Sequence, residues 1–246
     1  MFKVRFDQEI ANRKLVASRS QAETYIKLGQ VKLNGKVVTK TGEQVSPLDK
    51  IELLATEQYV SRAALKLASV TQALHINFTG KTMLDVGSST GGFTDYALKH
   101  GALKSIAVDV GSDQLHPSLR GDIRIELHEQ TDIRNFKTTH QIDIVVADVS
   151  FISLREVLPS IRMLSTINTQ IIVMVKPQFE VYGERTRTGA DIKHKGIIKN
   201  DKLRREILKN FETWAGQYFR IIAKADSSVS GSKGNVERFY LLKLLT

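Results

Sequence analysis

The chain has 246 residues, of which 41% are hydrophobic, and it carries a formal net charge of +10 with a pI near 9.7. It contains no cysteine, which excludes disulfides and cysteine-bound metals, and it shows neither a membrane-spanning apolar run nor a secretory leader. We therefore expect a soluble, cytoplasmic protein of one or two domains with a polyanionic partner, and nucleic acid is favoured over a membrane surface.

The first residues of the chain lack the alternation of strands and helices that marks the rest. A first helix is predicted over residues 6–15, and a second helix begins near residue 20. Ser20 is the expected N-cap of that helix, with Glu23 as its capping-box partner, and Gly29 is expected to end it. Two short helices therefore open the chain.

A predicted hairpin follows, because residues 31–38 alternate apolar and polar side chains across Asn34-Gly35, and residues 50–54 form a further strand. Two helices followed by V-K-L-N-G-K-V-V resemble the small αL RNA-binding domain of the S4 type, which implies that this segment binds RNA. Ten basic and six acidic side chains give residues 1–54 a net charge of +4, although such charges are usually just a solvated surface. The candidate RNA-binding residues are Arg13, Lys14, Arg19, Lys27, Lys32, Lys36 and, in the next helix, Arg62.

After a short linker at residues 55–58, a second domain is predicted over residues 59–246. Its first helix runs from Tyr59 to about His75 and places Arg62 and Lys66 on one face, since they are four residues apart. Taken alone, Lys66 is an ordinary surface lysine whose aliphatic stem packs against apolar neighbours.

The segment from Met83 to Phe93 reads as a strand, a glycine turn and the start of a helix that continues to about His100. Its spacing is not that of a dinucleotide-binding turn, because serine replaces the second glycine, and it is not a phosphate-binding Walker loop. A nucleoside cofactor without phosphates, such as S-adenosylmethionine, is favoured. The candidate cofactor-binding residues here are Asp85, Gly87, Ser88, Ser89, Thr90, Gly91, Gly92 and Phe93.

Asp109 closes the next apolar run, 22 residues after Gly87, where nucleotide-binding folds place the acid that binds the ribose hydroxyls. Val110 follows it as a further candidate. An ordinary turn with a solvated aspartate is the alternative, but the glycine turn and the acid point to one site. Asp132, after a predicted strand at residues 123–127, is a weaker candidate for the adenine side, and a plain loop aspartate explains it equally well.

Two further strands end in ionisable residues. Residues 142–148 are almost continuously apolar and end at Asp148, a candidate for both cofactor binding and catalysis. Residues 169–177 end at Lys176 and then Pro177, and packing alone does not explain a lysine in that place. Both residues are expected at the carboxyl edge of a parallel sheet, where open α/β folds bind ligands.

The remainder of the chain completes a mostly parallel sheet. Residues 183–199 are charged and unpatterned, which predicts a mobile, RNA-facing loop. A helix at 201–217 and strands at 219–223 and 238–242 follow, and the last strand begins after Glu237. The predicted fold is therefore α/β, a Rossmann-like methyltransferase sheet with an antiparallel last strand behind an α+β RNA-binding domain.

The four candidate catalytic residues are Lys66, Asp148, Lys176 and Glu237, and they come from separate elements. Two lysines and two acids suit methylation of a ribose 2′-hydroxyl, because the hydroxyl becomes a good nucleophile only when a base removes its proton. Lys176 is the candidate base, and the acids would hold the lysines in place. Such a transfer needs no metal and no covalent enzyme intermediate.

The motifs Y-V-S-R-x-x-L-K-L, D-V-G-S-S-T-G-G-F-T-D, A-D-V-S-F-I-S-L, V-K-P-Q-F-E and G-N-V-E occur in that order. Together with the αL segment, they closely resemble the TlyA family, the ribosomal RNA 2′-O-methyltransferases within the FtsJ-like group. The resemblance implies S-adenosylmethionine as cofactor, ribosomal RNA as partner and cytidine as target, and it assigns the Lys-Asp-Lys-Glu set to the four residues above. Ala63-Ala64 replace a common Gly-Gly pair, and we expect them to stiffen or shift the helix that carries Lys66.

Three alternatives remain open at this point. A haemolysin, a label that this family often bears, would need a membrane-spanning or strongly amphipathic segment. A non-catalytic RNA-binding assembly factor would keep the fold but would have no need of the four ionisable residues. A pseudouridine synthase can also carry an αL domain, but it would not need the glycine turn.

Overall fold

The computed structural model describes residues 3–16, 18–55, 58–181, 198, 200–231 and 234–245. The loop predicted at residues 183–199 therefore lies almost entirely outside the described residues. The chain forms two compact units, residues 1–65 and 66–246. The division falls within helix α3, Arg62–Thr71.

The first unit contains two helices and short antiparallel strands. Its elements are β1 (Val4–Arg5), α1 (Phe6–Asn12), α2 (Arg19–Lys27), β2 (Val31–Leu33), β3 (Lys36–Val37), β4 (Gln44–Val45) and β5 (Ile51–Leu53). Strand β2 pairs with both β3 and β5, and β1 pairs with β4. The predicted hairpin is confirmed: Asn34 and Gly35 both have positive φ angles, 50° and 79°, as the tight turn requires.

The N-cap prediction for α2 was wrong. The helix begins at Arg19, and Ser18 is the cap, since its hydroxyl accepts a hydrogen bond from the backbone N–H of Gln21 at 3.2 Å. Ser20 instead lies inside the first turn. As predicted, the helix stops before Gly29, which has a φ of +67°.

The second unit is a seven-stranded sheet with helices. Its elements are β6 (Thr82–Val86), α4 (Gly92–Lys99), β7 (Lys104–Val108), β8 (Ile125–His128), β9 (Ile144–Ala147), α5 (Leu154–Met163), β10 (Gln170–Val175), α6 (Pro177–Glu180), α7 (Asp201–Ala215), β11 (Phe219–Asp226) and β12 (Arg238–Leu244). The strand order is β11-β12-β10-β9-β6-β7-β8. Strands β6 to β10 are parallel, and β12 is antiparallel to both of its neighbours. The predicted fold class is confirmed.

The sheet is organised around buried apolar strands. Every residue of β9 is buried, and so are all residues of β10 except the first. These strands pack with α5 and α7, for example against Leu158 and Phe211, in one hydrophobic core. Because such strands are covered on both faces, only the residues that follow their last buried positions can reach a ligand.

Candidate functional site

The glycine turn between β6 and α4 depends on residues that tolerate positive φ angles. Gly87 and Gly91 have φ angles of +79° and +84°, and Ser89 has a φ of 46°. A Cβ atom on Gly87 would lie 3.0 Å from the carbonyl oxygen of Asp148, so a larger residue would strain both the turn and the end of β9. Gly91 is the N-cap of α4. The turn therefore brings backbone close to backbone at the carboxyl edge of the sheet.

Asp85 anchors this turn from beneath. Its Oδ2 atom accepts hydrogen bonds from the backbone N–H and the hydroxyl of Thr94, at 3.0 and 2.7 Å, and the Thr94 hydroxyl also contacts Ser105. Burial raises the pKa of Asp85 to about 7, because desolvation of the carboxylate outweighs the hydrogen bonds that favour its charged form. The roles of Thr94 and Ser105 were not predicted, although Thr94 lies within the glycine-turn motif.

Asp109 follows β7 and ties two loops together. Its carboxylate accepts the backbone N–H groups of Ser89, at 2.8 Å, and of Gly111, at 2.7 Å. Because each carboxylate oxygen has more than one lone pair, both oxygens can accept further hydrogen bonds. The side chain is thus held at the edge of the sheet next to the glycine turn.

A cleft of about 500 Å³ opens above these loops. Of the predicted cofactor-binding residues, the following line it: Gly87, Ser89, Asp109, Val110, Asp132 and Asp148. The others belong to β6, to the turn or to the start of α4 and do not line the cleft: Asp85, Ser88, Thr90, Gly91, Gly92 and Phe93. Lining residues that were not predicted include Gln114, Ser150 and Phe151. Ser150 and Phe151 belong to a quoted motif, whereas no sequence signal marked Gln114.

Asp132 contributes to the far wall of the cleft. It forms an ion pair with Arg134 at 2.6 Å, and the hydrogen bonds from Arg134 hold the pKa of its carboxyl below the usual range. Arg134 lines the same wall. The negative charge of Asp132 is therefore balanced within the cleft.

The register of the sheet brings three of the candidate catalytic residues to one edge. Val175 of β10 is the partner of Arg238 in β12, and Val173 is the partner of Ala147 in β9. Lys176, Glu237 and Asp148 each stand one residue beyond these pairs, in the direction of the glycine turn. The residues that end the strands are consequently neighbours across the sheet.

Lys176 is held by two contacts. Its Nζ atom lies 2.5 Å from Oδ1 of Asp148 and donates a hydrogen bond to the hydroxyl of Ser150 at 2.7 Å. It also lies 5.9 Å from the ring centroid of Phe179. Lys176 is 8% exposed, whereas Ser150 is exposed and lines the cleft. The amine therefore lies just outside the cleft, bonded to a hydroxyl that lines it.

Lys66 forms the second buried ion pair. Its Nζ atom lies 2.6 Å from Oε2 of Glu237, and the two side chains are 11% and 3% exposed. Helix α3 is continuous from Arg62 to Thr71, so Ala63-Ala64 extend the helix up to Lys66. The four candidate residues thus form two matched pairs, which limits the cost of burying four charges.

The candidate RNA-binding residues divide into two groups. Arg13 pairs with Glu9 and donates to the backbone carbonyls of Ser46, Pro47 and Asp49, and Arg19 pairs with the buried carboxylate of Asp7. Lys14, Lys27 and Lys36 are exposed, and Lys32 and Arg62 are half-buried. The two arginines therefore hold the first unit together, and the exposed lysines present charge to solvent.

Among the described residues, no group of three or more His, Cys, Asp or Glu side chains is arranged to hold a metal ion. No helix in the described ranges is long and apolar enough to cross a membrane.

Comparison with known proteins places the chain in a family. The FtsJ-like methyltransferase family matches residues 59–244, and the S4 domain matches residues 4–51. A 23S rRNA (cytidine-2′-O)-methyltransferase TlyA from Campylobacter jejuni is 39% identical over 96% of this chain and 98% of its own. A 16S/23S rRNA (cytidine-2′-O)-methyltransferase TlyA from Mycobacterium tuberculosis is 35% identical over 99% of this chain and 91% of its own.

A solved structure, that of a candidate hemolysin from Streptococcus thermophilus, matches with a TM-score of 0.69 and 31% identity, covering 98% of this chain and 88% of that one. The sequence relatives and this structure match nearly the whole chain, so the likeness extends over both the S4 domain and the methyltransferase domain. The chain belongs to the FtsJ-like methyltransferase family and, within it, to the TlyA proteins, as its motifs had indicated.

Proposed function

We propose that this protein is an S-adenosylmethionine-dependent methyltransferase that modifies a cytidine 2′-hydroxyl of ribosomal RNA. The observation that carries the proposal is the convergence of two buried ion pairs, Lys176–Asp148 and Lys66–Glu237, at the sheet edge beside the cleft. Burying ion pairs is costly, and in a purely structural core apolar residues in these places would often be at least as stable. The relatives' activities agree with the proposal.

The cleft fits a nucleoside cofactor. Asp109 offers carboxylate oxygens that can accept ribose hydroxyls, and the glycine turn lets a ligand approach the backbone because Gly87 has no side chain. The apolar side chains of Val110, Ile133 and Ile152 line the walls and can enclose a base. When bound, S-adenosylmethionine supplies an activated methyl group on a sulfonium.

Lys176 is the base in this proposal. In its uncharged form the amine accepts the proton of the ribose hydroxyl, and Asp148 and Ser150 fix its position through the contacts described above. Lys66, oriented by Glu237, adds a second positive charge at the same edge, which stabilises the negative charge that develops on the ribose oxygen. The chemistry is thus positioning and proton removal.

The S4 domain supplies RNA affinity. We assign residues 1–54 to this domain, 55–58 to a linker and 59–246 to the methyltransferase domain. Lys14, Lys27 and Lys36 are exposed and can bind phosphates, and the net charge of +10 favours a polyanionic partner. Since the proposed substrate is ribosomal RNA, free or within a subunit, we expect the enzyme to act in the cytoplasm.

The proposal is tested by transfer of labelled methyl from S-adenosylmethionine to ribosomal RNA and to separate ribosomal subunits. A 2′-O-methyl group blocks alkaline cleavage, so alkaline hydrolysis of the product locates the modified ribose. We expect label at a cytidine ribose, lost in Lys176→Ala and retained in Lys137→Ala, an exposed lysine of the same domain. Cofactor binding with no transfer to any of these substrates would contradict the proposal and favour an RNA-binding assembly factor.

A further inference from the structure

The side chain of Gln114 lies in the cleft beside the candidate ribose-binding acid. Its Oε1 atom accepts a hydrogen bond from the hydroxyl of Ser89 at 3.0 Å, and the residue lines the cleft together with Asp109. Gln114 is exposed, so burial does not fix this position. An exposed glutamine that turns into a cleft calls for another explanation.

Gly111 supplies that explanation. A Cβ atom built on Gly111 would lie 1.7 Å from Nε2 and 2.8 Å from Cδ of Gln114. Gly111 does not have the positive φ that usually calls for glycine, and the Gln114 amide occupies the space that a side chain at this position would fill. The same Cβ would lie 3.0 Å from Oδ1 of Asp109, which places the amide nitrogen beside the carboxylate.

The backbone that carries Gln114 is firmly anchored. The carboxylate of Glu129 accepts the backbone N–H groups of Asp113, Gln114 and Leu115 at 2.8, 2.9 and 3.3 Å. These hydrogen bonds, that from Asp113 first, hold the pKa of Glu129 below its usual range. Leu115 also fills the space that a side chain on Gly91 would need, with its Cδ1 atom 2.6 Å from that position. Gln114 is therefore preorganised at the mouth of the cleft.

We infer that the Gln114 carboxamide is a contact for the ribose of the nucleoside cofactor, acting together with Asp109. The inference rests on the proposed function, since it concerns the cofactor of the same site. Asp109 can only accept hydrogen bonds from ribose hydroxyls, whereas the amide N–H₂ group donates to the hydroxyl oxygens. Together, the two side chains can bond both the hydrogens and the oxygens of two adjacent ribose hydroxyls. The absence of a side chain at Gly111 leaves room for them to lie side by side.

The test is calorimetric binding of S-adenosylhomocysteine and of its analogue that lacks both ribose hydroxyls. For S-adenosylhomocysteine, we expect Gln114→Ala to weaken binding about five- to tenfold, the effect of losing one neutral hydrogen bond. For the dideoxy analogue, wild type and Gln114→Ala are expected to bind equally. Gln141→Ala, at an exposed glutamine before β9, is the matched control and should bind both ligands as the wild type does.

Gly111→Ala is a second route to the same effect, because its methyl group displaces the amide while Gln114 remains. We expect a similar loss of affinity in this variant and no further loss when it is combined with Gln114→Ala. Unchanged affinity in Gln114→Ala, or an equal loss for the dideoxy analogue, would overturn the inference alone. Absence of binding to the wild type would overturn the proposed cofactor and the inference with it.

Discussion

Lys66 of helix α3 forms an ion pair of 2.6 Å with Glu237, the residue before β12, and both side chains are almost fully buried. Removing one partner of such a pair leaves the other charge buried and uncompensated. We expect Lys66→Ala to lower the free energy of unfolding by about 3 to 5 kcal/mol. Guanidinium titration followed by circular dichroism measures this.

Lys81→Ala is the matched control for that measurement, because Lys81 lies 3.7 Å from Asp143 and its side chain is 44% exposed. An exposed pair of this kind contributes about 1 kcal/mol or less. Equal effects of the two substitutions would show that the Lys66–Glu237 pair is not buried as described.

The contacts of Lys176 with Asp148 and Ser150 predict that its substitution lowers the rate of methyl transfer but leaves cofactor binding almost unchanged. Lys176→Ala should lower the rate of methyl transfer by about 10²- to 10⁴-fold, the usual contribution of a general base. The affinity for S-adenosylhomocysteine should change little, because Lys176 does not line the cofactor cleft. Single-turnover transfer and calorimetry on the same preparation separate the two quantities. A variant that keeps full transfer would exclude Lys176 as the base.

Asp85 predicts a pH dependence of stability. The folded state raises the pKa of Asp85 to about 7 from 3.8, so between these values the folded protein holds a proton that the unfolded chain releases. This stabilisation is complete below about pH 4 and is lost as the pH rises through about 7. Relative to Asp85→Asn, the wild type should lose about 2 to 3 kcal/mol of stability between pH 5 and pH 8.

The free energies of unfolding of the wild type and of Asp85→Asn are compared at the same pH, so the contributions of other titrating groups cancel. The Oδ1 atom of Asp85 has no hydrogen-bond partner among the described residues, which disfavours the ionised form because no donor stabilises a negative charge on that oxygen. A constant difference between wild type and Asp85→Asn from pH 5 to pH 8 would show that Asp85 is ionised throughout.

Much of the site could be predicted because it follows from strand endings. Asp148 and Lys176 terminate apolar runs, and parallel strands present their carboxyl ends at one edge, so their proximity follows from the pattern alone. The pairing of Lys66 with Glu237 could not be predicted, because it depends on the tertiary position of α3. Gln114 was missed because its position depends on empty space at Gly111, which is a property of packing. The cap of α2 was misassigned because Ser18 and Ser20 both precede helical residues, and local sequence does not choose between them.

Gly87 tests whether the turn needs glycine. Gly87→Ala combines a φ of +79° with a Cβ atom 3.0 Å from the Asp148 carbonyl, so we expect a loss of about 1 to 3 kcal/mol in stability and weaker cofactor binding. Gly121→Ala is the control, since Gly121 has no positive φ and a Cβ there meets nothing within 4 Å. Thermal unfolding and binding of S-adenosylhomocysteine report the two effects. Equal behaviour of the two variants would mean that the turn tolerates a side chain.

The basic residues of the S4 domain should separate into RNA-binding and structural groups. Lys36→Glu, at an exposed position, should weaken ribosomal RNA binding and reduce the salt dependence of the affinity by about one phosphate contact without altering stability. Arg19→Glu should instead destabilise the domain. Arg5 and Arg19 hold the pKa of the buried Asp7 carboxyl below its usual value against the opposing effect of burial, and the substitution places a second negative charge beside it. Filter binding over a range of salt, together with thermal unfolding, distinguishes the two. If Lys36→Glu leaves both the affinity and its salt slope unchanged, RNA does not contact the hairpin.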